Sequence, residues 1–182
     1  MDALSFRTPV ADDAPSLGAL HVATWRETYA GLLPQPFLDS LSIEERTGTW
    51  RAVIEDPAVH GATALFLAES GGRLVGFAAC SDQRDEALKT RGYDGEFGAV
   101  YVLQGFQRHG IGRALMGLMA RDLLDRGRRA ASLWVLRENQ PARVFYERLG
   151  GVEEGEKSDE RPALTLHEVA YGWTDLTRLA GR

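Results

Sequence analysis

Apolar residues recur along this chain with two different periods, and the switches between them mark out its elements. Residues 5 to 10 read as a short first strand. Asp12, Asp13 and Pro15 then signal a helix start. Leu17, Leu20, Ala23 and Thr24 give that helix an inward face, and Gly31 with the Pro34-Gln35-Pro36 turn ends it. A second helix is predicted over about 42 to 56, because Ser42 followed by Glu45 makes a capping-box pattern. Residues 62 to 69 and 73 to 80 read as a hairpin around Gly71-Gly72. Residues 81 to 93 are polar and read as a mobile loop.

The second half of the chain switches period again. Glu96 to Leu103 is rich in aromatic and β-branched residues, which suits a buried strand. From Gly110 to Arg126, the residues Ile111, Leu115, Leu118, Met119 and Leu123 fall at helical spacing. Arg121, Asp122, Asp125 and Arg126 lie mostly off that face, and Gly127 stops the helix. Residues 130 to 137 form another strand candidate. Asn139 as N-cap and Pro141 in the first turn open a further helix, on which Ala142, Phe145 and Leu149 share a face and which Gly150 ends. Strands near 152 to 158 and 163 to 172 follow, with a charged turn at 158 to 162 between them. The predicted order β-α-α-β-β-β-α-β-α-β-β is an α/β (α+β) layer architecture, and residues 1–182 read as one domain without repeats or linkers.

One junction carries chemistry. Gln107-Arg108-His109-Gly110-Ile111-Gly112 sits between a strand and an amphipathic helix. A helix start offers unpaired N–H groups and a partial positive charge. Glycine lets backbone approach a phosphate closely, and Arg108 and Arg113 add two cations at the same end. The pattern reads as a pyrophosphate cradle. It lacks the Lys-Ser/Thr of a nucleoside-triphosphate loop and is not GxGxxG.

Composition narrows the classes that remain. Hydrophobic residues make up 44% and charged residues 26%, which is ordinary for a globular protein. No apolar run approaches the roughly 20 residues that span a bilayer. The N-terminus lacks the basic-then-apolar shape of a secretion signal, so a cytoplasmic location away from membranes is expected. A net charge of −5 argues against a nucleic-acid partner. The one cysteine, Cys80, excludes an internal disulfide and ends an apolar strand pattern, so it reads as core filler rather than nucleophile. His21, His60, His109 and His167 are scattered, so no metal-ligand spacing exists.

Taken together, Glu96 to Leu103, then Gln107-x-x-Gly110-x-Gly112, then Asn139-x-x-Ala142-x-x-Phe145-Tyr146-x-x-x-Gly150, resemble the GCN5-related N-acetyltransferase (GNAT) superfamily. The likeness covers nearly the whole chain. It departs where Gln104 stands in place of a frequent Pro, where Arg108 stands in place of a frequent Gly, and where Gly151 stands in place of a frequent aromatic. The resemblance implies a mixed, mainly antiparallel sheet of about seven strands flanked by helices. It also implies acetyl-CoA as cosubstrate, no metal, a primary amine acceptor, and relatives that often form homodimers.

The resemblance distributes roles as follows. Direct attack in a ternary complex needs no protein nucleophile, which suits a chain without a Ser-His-Asp or Cys-His constellation. Glu96 takes the amine proton through water, or is a solvated or ion-paired strand-edge carboxylate. Tyr146 protonates the departing thiolate, or is a core tyrosine beside Phe145. Asn139 bonds the pantetheine arm, or is only an N-cap, or both. Main-chain groups of Tyr101, Val102 and Leu103 would pair with pantetheine like an added strand. Gln107, Gly110, Ile111 and Gly112 form the cradle, and Arg108, His109, Arg113 and Arg143 approach the phosphates or are solvated surface charges. Trp25-x-x-x-Tyr29-x-Gly31 resembles a subgroup acting on small amines, in which Trp25 and Tyr29 would wall the acceptor groove; the two rings could instead pack the helix pair. The turn at 158 to 162, with Asp159 and Glu160, would face the same groove. Two other readings stay open: a protein or peptide N-acetyltransferase, and a non-catalytic CoA-binding sensor on the same fold.

Overall fold

A computed structural model describes residues 3–61, 63–161 and 164–181. Seven strands form one sheet in the order β1-β2-β3-β4-β5-β7-β6. They are β1 Leu4–Arg7, β2 Ala64–Ser70, β3 Arg73–Asp82, β4 Gly95–Val102, β5 Ala131–Leu136, β6 Val152–Arg161 and β7 Leu164–Trp173. Every neighbouring pair is antiparallel except β4 with β5. The mixed, mainly antiparallel sheet flanked by helices is therefore the predicted one.

Helices cover both faces. On one face lie α1 Ala14–Tyr29, the short α2 Gln35–Asp39 and α3 Ile43–Glu55. Leu17 and Leu20 of α1 meet Trp50 and Val53 of α3 above Leu67 and Phe77 of the sheet. The two helices approach closely because Gly18 has no side chain: a Cβ there would run into Thr47. Ser42 caps α3 by accepting the Glu45 N–H at 3.1 Å, as the sequence pattern requires. On the other face lie α5 Ile111–Asp125 and α6 Gln140–Arg148, with the short C-terminal α7 Thr177–Ala180 against α5. Leu115, Met116, Met119 and Leu123 are fully buried there against Val135, Val169 and Tyr171. Burying each such side chain contributes about 2 kcal/mol, so this face holds the larger share of the core. Cys80 lies in it, and burial pushes its thiol up to about 12, which keeps it protonated.

Several expectations need correction. Ala23 is exposed, and Val22 with His21 turns inward instead, because the inward stripe of α1 drifts with the 3.6-residue period. Residues 81 to 93 hold a short helix, α4 Glu86–Thr90, capped by Asp85 and anchored by buried Leu88. Pro34-Gln35-Pro36 opens α2 rather than only ending α1. The expected turn at 158 to 162 is strand as far as Arg161, with Ser158↔His167 and Asp159↔Leu166 paired across to β7; Pro162 lies outside the described residues. The aromatic absent after Gly150 is supplied by β7: the Trp173 ring lies against Gly151, and its Nε1 donates to Leu149 O at 3.0 Å.

Candidate active site

β4 and β5 pair at two positions only, Gly95↔Ala131 and Glu96↔Ser132, and then separate. Just past the split β4 is bulged. Ala79 pairs with Ala99 and Cys80 with Phe97, so Gly98 has no partner of its own. A bulge bends its strand and re-aims the side chains that follow; here it sets Ala99 and Tyr101 on the α1 face, with Val100 and Val102 on the α5 face. The gap becomes a cavity of about 680 Å³ through the sheet, within the usual range for a small-molecule site. Gln107, Arg108 and Gly112 with Asn139, Ala142 and Phe145 line its α5 side, and Trp25, Tyr29, Leu33, Phe37, Leu166 and Glu168 line its α1 side.

The α5 mouth holds the segment read in sequence as a cradle. Gly110 is the N-cap of a fifteen-residue helix in the left-handed region, φ 82°. Arg108 also takes a left-handed conformation, φ 66°, which costs a non-glycine residue about 1–2 kcal/mol. The frequent glycine at this position of the resembling family therefore has a conformational reason. Gly112 faces the cavity, where a Cβ would sit 3.1 Å from the Phe145 ring. Ile111 contributes only backbone, its side chain being buried in the core. His109 is exposed, with Nδ1 3.4 Å from Phe106 O, and Arg113 is exposed on the first turn of α5; neither lines the cavity.

The parity of β4 sorts the predicted main-chain contacts. Leu103 N–H donates to Val75 O at 2.9 Å. Hydrogen-bonded positions alternate along an antiparallel ladder, so Tyr101 also turns its peptide groups to β3, while Val100 and Val102 turn theirs to the gap. Of the three residues expected to offer backbone, only Val102 does so. Its carbonyl already accepts Gln107 Nε2 at 3.0 Å, which leaves its N–H. Leu103 is a core residue. Arg143 is a second correction. It points away from the cradle, with Nε 3.2 Å from the Tyr171 hydroxyl and NH2 3.1 Å from Glu153, because α6 presents that side to β6 and β7.

Deeper in the cavity stand Glu96 and Tyr146. The Glu96 side chain is 14% exposed and lines the cavity. Its Oε2 accepts from the Arg84 backbone N–H at 3.2 Å and from Arg84 Nε at 3.0 Å, and Oε1 takes the second arm of the guanidinium. These hydrogen bonds raise the Arg84 guanidinium further. Tyr146 is buried at the cavity wall, and burial pushes its phenol above the ordinary value, with Tyr29 adding to the shift. Tyr29 and Tyr101 share a hydrogen bond between hydroxyls at 3.0 Å, and burial raises both. Asn139 caps α6, accepting Ala142 N–H at 3.3 Å, and lines the cavity as well. Trp25 packs edge-on against Tyr29 at 5.1 Å, and its Nε1 points toward the Tyr101 hydroxyl without meeting hydrogen-bond geometry. Trp25 and Tyr29 thus pack together and also line the cavity.

The sequence reading missed four groups. Arg84 comes from the segment read as a loop. Trp134 of β5 donates its Nε1 to Asp85 at 3.1 Å. Lys157 of β6 and Glu168 of β7 close the α1 side. None carries a motif, and only the pairing of β5, β7 and β6 brings them together. Among the described residues no group of His, Cys, Asp and Glu is arranged to hold a metal ion, and no helix is long and apolar enough to cross a membrane.

The Acetyltransferase (GNAT) family matches residues 22–151 of the chain. The uncharacterized N-acetyltransferase YuaI of Bacillus subtilis is 32% identical over 177 residues, which covers 97% of this chain and 96% of that protein. An N-acetyltransferase from Staphylococcus aureus superposes with a TM-score of 0.71 at 17% identity, over 96% of this chain and 99% of the other. The PaiA N-acetyltransferase of Thermoplasma acidophilum, solved in complex with coenzyme A, gives 0.68 at 18% identity, over 92% and 98%. At such identities the two structures speak for the fold alone.

Proposed function

The chain belongs to the acetyltransferase (GNAT) family and is an acetyl-CoA-dependent N-acetyltransferase, and we propose that its acceptor is the primary amine of a small molecule, which attacks the thioester directly in a ternary complex. The observation that carries this reading is the cavity through the sheet, with an anion cradle at one mouth and a polar, aromatic chamber at the other. The two substrates would enter from opposite faces and meet between β4 and β5. A cytoplasmic homodimer completes the proposal on family grounds.

Acetyl-CoA supplies an acyl group activated as a thioester, and everything else falls to the chain. The α5 N-terminus and Arg108 bind the diphosphate, with Arg113 and His109 at the rim. The cradle fits such a group because Gly112 leaves room before Phe145. Val102 N–H and the Val100 carbonyl orient the extended arm as a sheet edge would, and Asn139 offers its amide N–H₂ while its oxygen caps α6. An alkyl amine has a pKa near 10 and arrives protonated, so a proton must leave before attack. Glu96 accepts it through a water, since Arg84 holds both its oxygens in place. The Val100 N–H, nearer Glu96 along β4, would stabilise the developing charge at the acyl oxygen. Tyr146 then gives its proton to the leaving sulfur, and the second proton lost by the attacking nitrogen restores the phenol. Its phenol is raised by burial and stays protonated at neutral pH, and a thiolate formed in the same buried place is raised by the same cause.

The test is a thiol-release assay with acetyl-CoA against polyamines, arylalkylamines, amino acids, aminoglycosides and short peptides. Turnover on a small amine is expected. Turnover confined to peptide N-termini or lysines would overturn the small-molecule acceptor.

A further inference from the structure

Four carboxylates line the α1 side of the cavity: Glu27, Glu96, Asp159 and Glu168. Three of them are committed. Glu27 accepts the Gln104 N–H at 2.7 Å. Glu96 accepts three hydrogen bonds from Arg84, and Asp159 is engaged as well. Glu168 differs. Its side chain is only 19% exposed, yet among the described residues its carboxylate meets one partner, Lys157 Nζ, at 3.7 Å. That is too long for a hydrogen bond. Its surroundings are apolar, with Leu136 and Leu166 beside it in the sheet and Leu33 and Tyr29 above. A half-buried carboxylate in such a place carries an unmet demand for a cation.

Lys157 does not depend on Glu168. Its ammonium lies 4.1 Å from the centre of the Trp134 ring and 3.7 Å from Asp85 Oδ2. Cation–π attraction and one ion pair would hold it there without help. An arriving ammonium can therefore take over Glu168 from Lys157, while Lys157 keeps Asp85 and the Trp134 ring.

We propose that Glu168 docks the ammonium of the acceptor and thereby selects primary alkyl- or arylalkylammonium compounds with an apolar body and no carboxylate beside the amine. Glu168 is in this view a specificity-determining residue, and the proposal rests on the acetyltransferase reading of the cavity. Leu33, Phe37 and Leu166 receive the apolar body. Four carboxylates against two cations on this side, Arg84 and Lys157, repel an acceptor that brings a carboxylate of its own.

Calorimetric titration of phenethylamine, with and without saturating coenzyme A, tests this in the intact protein. Phenylalanine serves as the carboxylated counterpart. Glu168→Gln should weaken phenethylamine about tenfold and leave coenzyme A affinity unchanged. Lys157→Met, which keeps an apolar side chain on Trp134, should tighten phenethylamine severalfold. A merely structural pair would make both variants weaker, so opposite signs are the diagnostic result. Phenylalanine should bind at least tenfold more weakly than phenethylamine. The proposal is overturned if Glu168→Gln binds phenethylamine like the wild type, if Lys157→Met also loses affinity, or if phenethylamine does not bind at all. Should coenzyme A fail to bind while the opposite-sign pattern holds, the ammonium site stands and the acetyl-transfer reading falls.

Discussion

Tyr146→Phe isolates a single atom of the candidate site. The ring would keep its place against Phe145, Tyr171 and Trp173, whose centroids lie 5.3, 6.2 and 6.1 Å away. Among the described residues no protein group hydrogen-bonds the hydroxyl, so its loss leaves no partner stranded, and folding stability should change by less than about 1 kcal/mol. Catalysis should respond very differently. A positioned general acid contributes about 10²–10⁴ in rate, or roughly 3–5 kcal/mol of transition-state stabilisation. Because burial raises the phenol above its ordinary value, the acid form persists at every pH below about 10. The wild-type profile should therefore show no basic limb from this group in the working range. Single-turnover thiol release removes product dissociation from the comparison, and calorimetry reads coenzyme A affinity separately. The expected outcome is a rate down about a hundredfold or more at unchanged affinity. An unchanged single-turnover rate refutes the assignment. A loss of affinity as large as the loss of rate would make the hydroxyl a binding group instead.

Glu96→Gln retains the shape that Arg84 grips and removes the proton acceptor. Its rate deficit should be largest at low pH and shrink toward pH 10, where the amine arrives neutral, and a constant ratio across pH would remove Glu96 as base. Arg108→Gly relieves left-handed strain of about 1 kcal/mol at a cost of similar size in chain entropy. Urea stability should therefore hold while the Kd for coenzyme A rises severalfold through loss of the cation; unchanged affinity would take Arg108 out of the cradle. His21 is buried and accepts Trp50 Nε1 at Nδ1, 3.0 Å away, and burial lowers its pKa to about 3. The unfolded chain takes up that proton near pH 6.5 and the folded chain does not, so stability should fall by a few kcal/mol as pH drops from about 6.5 toward 3. His21→Gln should flatten that fall in denaturant titrations at several pH values, and an unaltered slope would contradict the buried-neutral assignment. Gly172→Ala would drive a Cβ into the Tyr93 ring and should cost about 1–3 kcal/mol, with coenzyme A affinity intact because both residues lie away from the cavity.

The elements were largely legible because each carries its own local signal. Ser42 and Glu45 announce the start of α3, Gly71-Gly72 the β2–β3 turn, and Gly127 the end of α5, and each works through neighbours in sequence. The misses are places where tertiary packing decides. Asp85 caps α4 within a polar stretch, but that helix persists because Leu88 is buried beside Tyr93 and Ala130, a condition set by residues far along the chain. Likewise Ser158 to Arg161 is charged enough to read as a turn, yet pairing with β7 keeps it extended.

The site divides along the same line. The cradle is contiguous, so Gln107 to Gly112 could be read directly, and Asn139 and Tyr146 follow at fixed spacing on the next helix. Which peptide groups of β4 face the gap depends on ladder parity, and a single bulge at Gly98 shifts that parity. The lone Gly98 inside the strand is a weak local sign of a bulge, but it does not say which pairing is skipped. Side-chain partners are hidden more deeply still. Glu96 has two meanings in sequence, a base acting through water or a solvated or ion-paired strand-edge carboxylate; the approach of Arg84 from twelve residues away shows the ion pair, and the Glu96→Gln pH profile tests the base. The α1 side of the cavity is assembled from α1, β5, β6 and β7, four segments with no common motif. If it receives the acceptor as proposed, single substitutions at Lys157 or Glu168 should change its selectivity while leaving Gln107 to Gly112 in place. The part of the protein that names its family is legible in sequence, and the part that names its substrate is not, for this physical reason.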